Sequence, residues 1–204
     1  MRLGIFSYFF DFLFAPAAML LLAWRWPPAF EWDGAPLAGA AFVIGVFVWT
    51  LLEYAIHRWL FHRGSLLRRL HDFHHEKPDD LFGAPPIVGP VLILMAFEAP
   101  ALYWGAGSGW YFTAGVLAGY LAYVLVHFDA HARLSALSLI LGAARRRHMR
   151  HHFASGAANF GIVTGLWDVV FRTSRTEATI RSRVSRASGG LALWKRLADR
   201  ARAS

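Results

Sequence analysis

Long apolar segments constrain this chain more than any other feature of its sequence. Residues 4–26 and 35–56 are each apolar over about the 20 residues that a helix needs to cross a bilayer. Shorter apolar segments follow at 91–104 and 110–126. Hydrophobic residues make up 56% of the chain, above the roughly 45–50% of soluble domains. We therefore predict an all-α integral membrane protein with about four transmembrane helices.

Turn-forming residues separate these segments. Residues 25–36 contain paired prolines and tryptophans, 83–90 contain three prolines, and 105–109 form a short glycine-containing link. Because the third and fourth segments are short, a deep re-entrant hairpin remains an alternative to two separate spans. Only Arg2 precedes the first segment and no small-residue cleavage site follows it, which favours a retained helix over a removed signal peptide.

The basic residues are distributed unevenly about these segments. Of the 21 Lys and Arg, only Arg25 falls outside if the end of the second segment is cytoplasmic, as the positive-inside rule requires. Both termini and every histidine motif are then expected on the cytoplasmic side, in what we take to be a bacterial inner membrane. This bias and anionic lipid account for the net charge of +8, so we predict no nucleic-acid partner.

The chain is predicted to contain a single membrane-embedded domain over residues 1–173. Residues 174–204 are rich in Arg and Ser and are predicted to form a basic C-terminal tail. Within this tail, residues 191–202 have an amphipathic pattern that suits a membrane surface, while disorder is the alternative.

All histidines of the chain fall in four motifs, two of them HxxHH clusters, and each follows an apolar segment. The ten residues are His57, His62, His71, His74, His75, His127, His131, His148, His151 and His152. On a helix, positions i, i+3 and i+4 share one face, so each HxxHH trio is predicted to converge on one point. Because imidazole is the commonest metal ligand, we interpret all ten as ligands of a metal centre.

The spacing of the first motif is different. His57 and His62 are five residues apart, which is about 140° around an ideal α-helix. Either a π-bulge brings the two side chains together, or they reach the metals from different sides.

Ten imidazoles are too many for one ion. A tetrahedral zinc takes four ligands, and a mononuclear catalytic iron commonly takes two histidines and a carboxylate, so two metals are the economical explanation. Two irons could activate dioxygen against an unactivated carbon. Hydrolysis would need a metal-bound water and gives no reason for a site beside lipid.

Carboxylates and an amide near the motifs are candidates to orient the ligands. A metal-bound imidazole donates its other N–H to such groups or to a carbonyl. Ordinary capping or surface solvation is the alternative for each. The candidates are Glu53, Asp72, Glu76, Asp129, Asn159 and Asp168. Glu53 lies one turn before His57, and both it and Glu98 lie in apolar segments, where a carboxylate is costly and often functional.

Four sequence blocks together resemble a known family. They are EYAIHRWLFH, HDFHHEKPDDLFGAPP, HFDAH and RHMRHHFASGAANFGIVTGLWDVVF. These blocks are similar to the fatty acid hydroxylase and sterol desaturase superfamily of membrane di-iron enzymes. The order HxxxxH, HxxHH, HxxxH, HxxHH looks most like the fatty acid 2-hydroxylases, and the resemblance covers residues 53–173.

The resemblance implies hydroxylation of a lipid acyl chain at carbon 2, with two irons, dioxygen and an external electron donor. All ten histidines match family positions and would carry over as ligands, although zinc could replace iron in purified samples. Eukaryotic relatives carry a fused cytochrome b5 domain. This sequence has no haem-binding region and no Cys for an iron–sulfur cluster, so we expect a separate cytochrome b5-like or ferredoxin carrier.

Other functions remain open at this point. A carotenoid ring hydroxylase usually differs around the third motif, HFDAH, and a sterol oxidase or desaturase shares the same chemistry. A membrane metal-binding or transport protein would use the histidines for binding alone. Transport sites usually lie near the bilayer midplane, whereas these histidines gather at helix ends.

Overall fold

The regular structure is entirely helical. A computed structural model describes residues 5–24, 35–63, 65–77, 88–103, 109–132, 138–153 and 156–176. These ranges contain no β-strand, which confirms the all-α prediction. Most of the predicted turn at 25–36, most of the link at 105–109 and the tail beyond residue 176 lie outside them.

The helices follow one another in the order α1 to α8, with two π-helical segments inserted. Their bounds are α1 Ile5–Trp24, α2 Ala35–Ala55, π1 Ile56–Phe61, α3 Ser65–Glu76, α4 Val88–Ile93, π2 Leu94–Glu98, α5 Ala99–Tyr103, α6 Gly109–Ala132, α7 Ser138–Phe153 and α8 Leu166–Val170. By length and composition, the helices over Pro36–Phe61 and Gly109–His131 are long and apolar enough to cross a membrane. The apolar stretches in Phe10–Leu22 and Gly89–Ala101 are shorter.

Helices α2 and α6 form the centre of the fold and lie unusually close together. A Cβ atom at Gly45 would overlap the Phe112 carbonyl oxygen, and one at Gly115 would overlap the Phe42 carbonyl oxygen. Glycine at both positions is therefore what lets the two backbones touch. Since Phe42 faces Gly115 and the ring of Trp49 lies against Gly119, the two helices run in the same direction.

Helices α1 and α4 complete the apolar core around this pair. Buried side chains of the core come from all four helices: Ala15, Ala18, Leu22, Trp49, Ile93, Val116, Leu117 and Tyr120. The rings of Trp49 and Tyr120 meet edge to face with centroids 5.2 Å apart. Because α2 and α6 are parallel, their C-terminal ends, which carry His57 and His127, lie at the same end of this core.

Candidate metal centre

The ten histidines form two groups of five. In each group the five ligand nitrogens all lie within 4.8 Å of one another. The first histidine group contains His57, His62, His71, His75 and His151. The second histidine group contains His74, His127, His131, His148 and His152. Every histidine of the sequence is therefore part of one group or the other.

The expectation that each HxxHH trio converges on one point is wrong. Each trio is divided, because its outer pair joins one group and its middle residue joins the other. In α3, His71 and His75 belong to the first group and His74 to the second. Positions i and i+4 are about 40° apart on a helix, whereas i+3 and i+4 are about 100° apart. A helix with this motif therefore lies between two sites and supplies ligands to both.

Helix α7 divides its trio in the opposite sense. His148 and His152 belong to the second group, and His151 belongs to the first. The two HxxHH helices thus exchange roles, and each group receives two histidines from one of them and a single histidine from the other.

A π-helical turn explains the spacing of His57 and His62. The helix continues past α2 as π1, with His57 inside π1 and His62 directly after it. Since residues five apart are hydrogen-bonded neighbours along a π-helix, both imidazoles reach the same group. Of the two explanations for this spacing, the π-bulge is the one observed.

Two imidazoles of the first group are oriented by backbone carbonyl groups. His57 Nδ1 lies 2.5 Å from the Phe160 carbonyl oxygen, and His151 Nδ1 lies 2.7 Å from that of Ala158. A carbonyl oxygen can only accept, so Nδ1 carries the proton in both rings. The Nε2 atoms therefore present lone pairs to the centre of the group.

The spacing of the Nε2 atoms fits a bound cation. His71 Nε2 lies 3.0–3.1 Å from the Nε2 atoms of His57, His62 and His75. One nitrogen carries at most one proton, so hydrogen bonds alone cannot satisfy three such neighbours. Two nitrogens bound at right angles to one ion at about 2.1 Å would lie about 3.0 Å apart, which matches these distances.

The second histidine group shows the same spacing. The Nε2 atoms of His127 and His74 are 3.1 Å apart, as are those of His131 and His148. Five imidazoles per group exceed the four ligands of a tetrahedral zinc site and suit an ion with more coordination positions. The donor set of each group therefore fits one metal ion.

Burial keeps these imidazoles neutral. It lowers the pKa of His74 and His151 to about 3, and that of His62 to about 4, with neighbouring imidazoles as further causes. Burial also lowers the pKa of His71, His75, His148 and His152. A metal displaces a proton from its ligand, so neutral rings at pH 7 are ready to bind.

The carbonyl groups of Ala158 and Phe160 belong to a loop, residues 158–163, that two buried carboxylates hold in place. Asp168 accepts hydrogen bonds from the backbone N–H groups of Phe160 and Gly161, at 2.8 and 2.9 Å. Glu53 accepts from those of Ile162 and Val163. Four consecutive N–H groups are therefore bound by side chains, and the loop presents the carbonyl groups of Ala158 and Phe160 to the histidines.

Arg147 fastens the same loop from α7. Its Nε donates to the Gly161 carbonyl oxygen at 2.8 Å, and its Nη2 donates to that of Ile162 at 2.6 Å. A side chain at position 161 is excluded, because its Cβ would meet the Thr164 carbonyl and the Asp168 carboxylate. The loop therefore depends on one arginine, two carboxylates and a glycine.

Asn159 joins the loop to the segment after α8. Its φ angle of 58° is in the left-handed region that Asn tolerates better than most residues. Its side chain donates to the Arg175 carbonyl oxygen and accepts from the Arg175 N–H, at 3.2 and 2.9 Å. Thr173 completes the connection, with a hydroxyl that donates to Asp168 at 2.7 Å.

The remaining candidates from the sequence lie elsewhere. Asp72 and Glu76 are exposed on α3, and Asp72 pairs with Arg68 at 3.3 Å. Asp129, which lies between His127 and His131 in the sequence, is fully buried, and within the described ranges its oxygens have no hydrogen-bond partner. Glu98 is buried in π2. Glu53, Asn159 and Asp168 are thus the candidates that contact the loop beside the first group.

Sequence reasoning missed Arg147 and the two carbonyl groups. Arg147 stands in the basic run RRR, where charge alone suggests lipid contact, and its neighbour Arg146 is indeed exposed. A backbone carbonyl carries no sequence signal of its own. The only hint is the run of small residues with Asn159 and Gly161, SGAANFG, between the last motif and Asp168.

The fold and site define a helical protein with two adjoining all-histidine groups, each able to hold a metal ion, at one end of an apolar core. Residues 42–173 match the family described as fatty acid hydroxylase. This match covers more than half of the chain, and the chain therefore belongs to the fatty acid hydroxylase family.

Individual relatives agree with this assignment. The chain is 33% identical to the human fatty acid 2-hydroxylase over 147 residues, which cover 67% of this chain and 40% of the relative. It is 35% identical to the ceramide very long chain fatty acid hydroxylase SCS7 of Saccharomyces cerevisiae, over 65% of this chain and 37% of the relative. The chain thus spans about two fifths of the length of these relatives.

A plant relative and a solved structure extend the comparison. The dihydroceramide fatty acyl 2-hydroxylase FAH2 of Arabidopsis thaliana is 30% identical, over 68% of this chain and 62% of the relative. The structure of scs7p, in which only the hydroxylase domain is visible, matches with a TM-score of 0.64 and 25% identity. That match covers 86% of this chain and 68% of the other.

Proposed function

We propose that this protein is a membrane-bound, oxygen-dependent hydroxylase that adds a hydroxyl group at carbon 2 of lipid acyl chains. The observation that carries the proposal is the division of all ten histidines into two adjoining five-nitrogen groups. The 2-hydroxylase names of the relatives supply the acyl substrate and the position of reaction. Free, thioester-linked and sphingolipid-linked acyl chains are all within this proposal.

In this proposal each histidine group holds one iron, with all ten histidines as ligands. When bound, the two irons supply the activation of dioxygen that removes hydrogen from an unactivated carbon. Five imidazoles per ion favour iron over a four-coordinate zinc, although an imidazole site also takes zinc readily. The protein binds the ions through neutral rings and excludes water by burial of His57, His148 and His151.

Glu53, Asp168 and Asn159 act in this proposal as positioning residues. They hold the loop of residues 158–163, whose carbonyl groups fix the Nδ1–H form of His57 and His151. Asp129 is a further candidate because its carboxylate is fully buried on α6, the helix that carries His127 and His131. Asp72 and Glu76 are exposed, and their influence is expected to be small.

Four spans and a cytoplasmic metal site are part of the proposal. Parallel α2 and α6 bring their histidines to the same end, so a chain that crosses with both must cross back between them. The apolar residues of α4, π2 and α5 are suited to that return. The basic residues on α3 and α7 favour the cytoplasm for this end, in a bacterial inner membrane, with residues 1–173 as the membrane domain.

An external protein is proposed to deliver the electrons. All ten histidines lie in the two groups and the sequence has no Cys, so within these 204 residues no histidine or cysteine remains to hold a haem or an iron–sulfur cluster. A cytochrome b5-like protein or a ferredoxin would fill this role. Exposed basic residues such as Arg63, Arg69 and Arg146 could dock an acidic carrier.

The decisive experiment is mass spectrometry of lipids from cells that express this protein under labelled dioxygen. We expect one labelled oxygen at carbon 2 of an acyl chain. The matched control is the double variant His148→Ala, His152→Ala, which removes two ligands of the second group and should abolish the product.

Other outcomes separate the alternatives. A labelled carotenoid or sterol would retain the metal chemistry and refute the acyl substrate. If an electron donor is shown to be present and no lipid gains label, the hydroxylase proposal fails, and metal binding alone becomes the better explanation.

A further inference from the structure

The segment Leu166–Phe171 has an inverted pattern of burial. Its only charged side chain, Asp168, is fully buried, whereas Leu166, Val169, Val170 and Phe171 are 44%, 66%, 56% and 39% exposed. In water, burial of the carboxylate and exposure of the aliphatic side chains is the unfavourable arrangement, at about 25 cal/mol per Å² of apolar surface. The surroundings of this surface are therefore expected to be apolar.

The exposed side chains of this segment are continuous with the outer face of α2. Val43, Ile44 and Phe47 are 50–65% exposed on that helix, which is long and apolar enough to cross a membrane. The ring of Phe47 lies 5.4 Å from that of Trp167. The Trp167 N–H donates to the Thr50 hydroxyl at 2.9 Å, so the indole N–H is hydrogen-bonded within the protein and does not require water.

Arginines border this surface on the side away from the apolar part of α2. Phe171 contacts Trp59 with ring centroids 6.1 Å apart, and the Arg58 guanidinium lies within 6.0 Å of both ring centroids. Arg172 is exposed next to Phe171. An apolar surface followed by Trp and then Arg is the order found where a protein meets the boundary between acyl chains and phosphate groups.

We propose that Leu166–Phe171, with Phe47 and Trp59, forms a surface that inserts into the bilayer at the level where acyl chains meet anionic headgroups. This proposal rests on the membrane location given under the proposed function. The same segment anchors the loop of residues 158–163 through Asp168, so bilayer insertion and the orientation of the first histidine group depend on one element. Its partner is an anionic lipid bilayer, with phosphates beside Arg172 and Arg58.

The absence of cysteine from the sequence makes this proposal testable with single labels. Val169→Cys and Val170→Cys would be labelled with an environment-sensitive fluorophore in nanodiscs, with or without brominated acyl chains. Val43→Cys on α2 is the lipid reference, and Arg146→Cys, an exposed arginine of α7, is the aqueous reference. We expect blue-shifted emission and quenching by brominated lipid at 169 and 170, as at 43 and unlike 146.

Each contrary result has a distinct meaning. Quenching at 43 but water-like emission at 169 and 170 would overturn the inserted surface and leave the membrane proposal intact. Blue-shifted emission without quenching by brominated lipid would also overturn it, because a second copy or residues 177–204 would then cover the surface. No quenching at 43 would refute the membrane location itself.

The headgroup contact has its own test. In nanodiscs with half the phosphatidylcholine replaced by phosphatidylglycerol, quenching at 169 is expected to increase. Arg172→Gln should remove that increase without loss of the basal quenching. If phosphatidylglycerol changed the quenching equally in the unsubstituted protein and in Arg172→Gln, the role of the anionic headgroup would be overturned.

Discussion

The two histidine groups have the same number of ligands and different support. In the first, His57 and His151 donate from Nδ1 to loop carbonyls that Asp168, Glu53 and Arg147 hold in place. In the second, the Nδ1 atoms of His74 and His148 are buried, and within the described ranges they have no hydrogen-bond partner. The two groups thus contain the same type of ligand but differ in the hydrogen bonds made by the Nδ1 atoms.

This difference teaches that backbone carbonyl groups set the protonation state of His57 and His151, whereas His74 and His148 have no such partner within the described ranges. An imidazole whose Nδ1–H is bound presents its Nε2 lone pair permanently, whereas an unsupported ring must also select its tautomer and rotation when a metal binds. We therefore expect the first group to bind its metal more tightly than the second.

Removal of ligands should give the largest effect in both groups. His57→Ala with His151→Ala, and His148→Ala with His152→Ala, should each remove one metal per chain. Each should also lower product formation by more than the roughly 10–100-fold typical of outer-shell changes. Metal analysis and labelled-product assays would measure this. Only the first pair leaves two loop carbonyls unpaired, so its metal-free form should unfold at the lower temperature.

Asp168→Asn should weaken the first group selectively. An amide places its own N–H₂ against a backbone N–H, which releases the loop and should lower the metal affinity of the first group by about 10–100-fold. Competition with a chelator should show one altered phase of metal release and one unaltered phase. Asp72→Asn is the matched control, since this exposed carboxylate pairs only at the surface. If Asp168→Asn weakened metal binding equally in both groups, the proposed difference between the two groups would be refuted.

Arg147→Lys should have a smaller effect in the same direction. One ammonium cannot reproduce the fork that donates to the carbonyl groups of Gly161 and Ile162, and the loss of one hydrogen bond costs about 1–3 kcal/mol. The same chelator titration should show weaker binding by the first group alone. Arg146→Lys, at the exposed neighbouring position, should behave as the unchanged protein. If Arg147→Lys weakened metal binding by the second group instead, Arg147 would not be a support of the first group.

Thr173→Val should have the smallest effect. It removes the hydroxyl that donates to Asp168 at 2.7 Å and retains the side-chain shape, at a cost of about 1 kcal/mol. We expect a reduction of less than about tenfold in the metal affinity of the first group. Ser174→Ala retains the backbone N–H that donates to the Asp168 carbonyl and serves as the control. A larger loss in Ser174→Ala than in Thr173→Val would argue against the carboxylate contact.

The helical class and the identity of the ten histidines were predictable because both depend on local pattern. Apolar segments of helical length and clustered imidazoles are visible in any short window of the chain, as is the unusual spacing of His57 and His62. Glu53 was also predictable, since a carboxylate in an apolar helix needs partners. The number of spans and the orientation stay predictions, and the parallel course of α2 and α6 bears only on the number of spans, since it requires a return crossing between them.

The partition of the ligands was decided by tertiary structure alone. His74 and His75 are adjacent in sequence, yet they face different groups because about 100° of helix rotation separates them and ligands from other helices lie on both sides. The Phe160 carbonyl group that orients His57 lies 103 positions away along the chain, and it acts through a backbone atom that every residue shares. The sequence by itself determined which side chains could bind metal, and only the fold decided which of them share an ion.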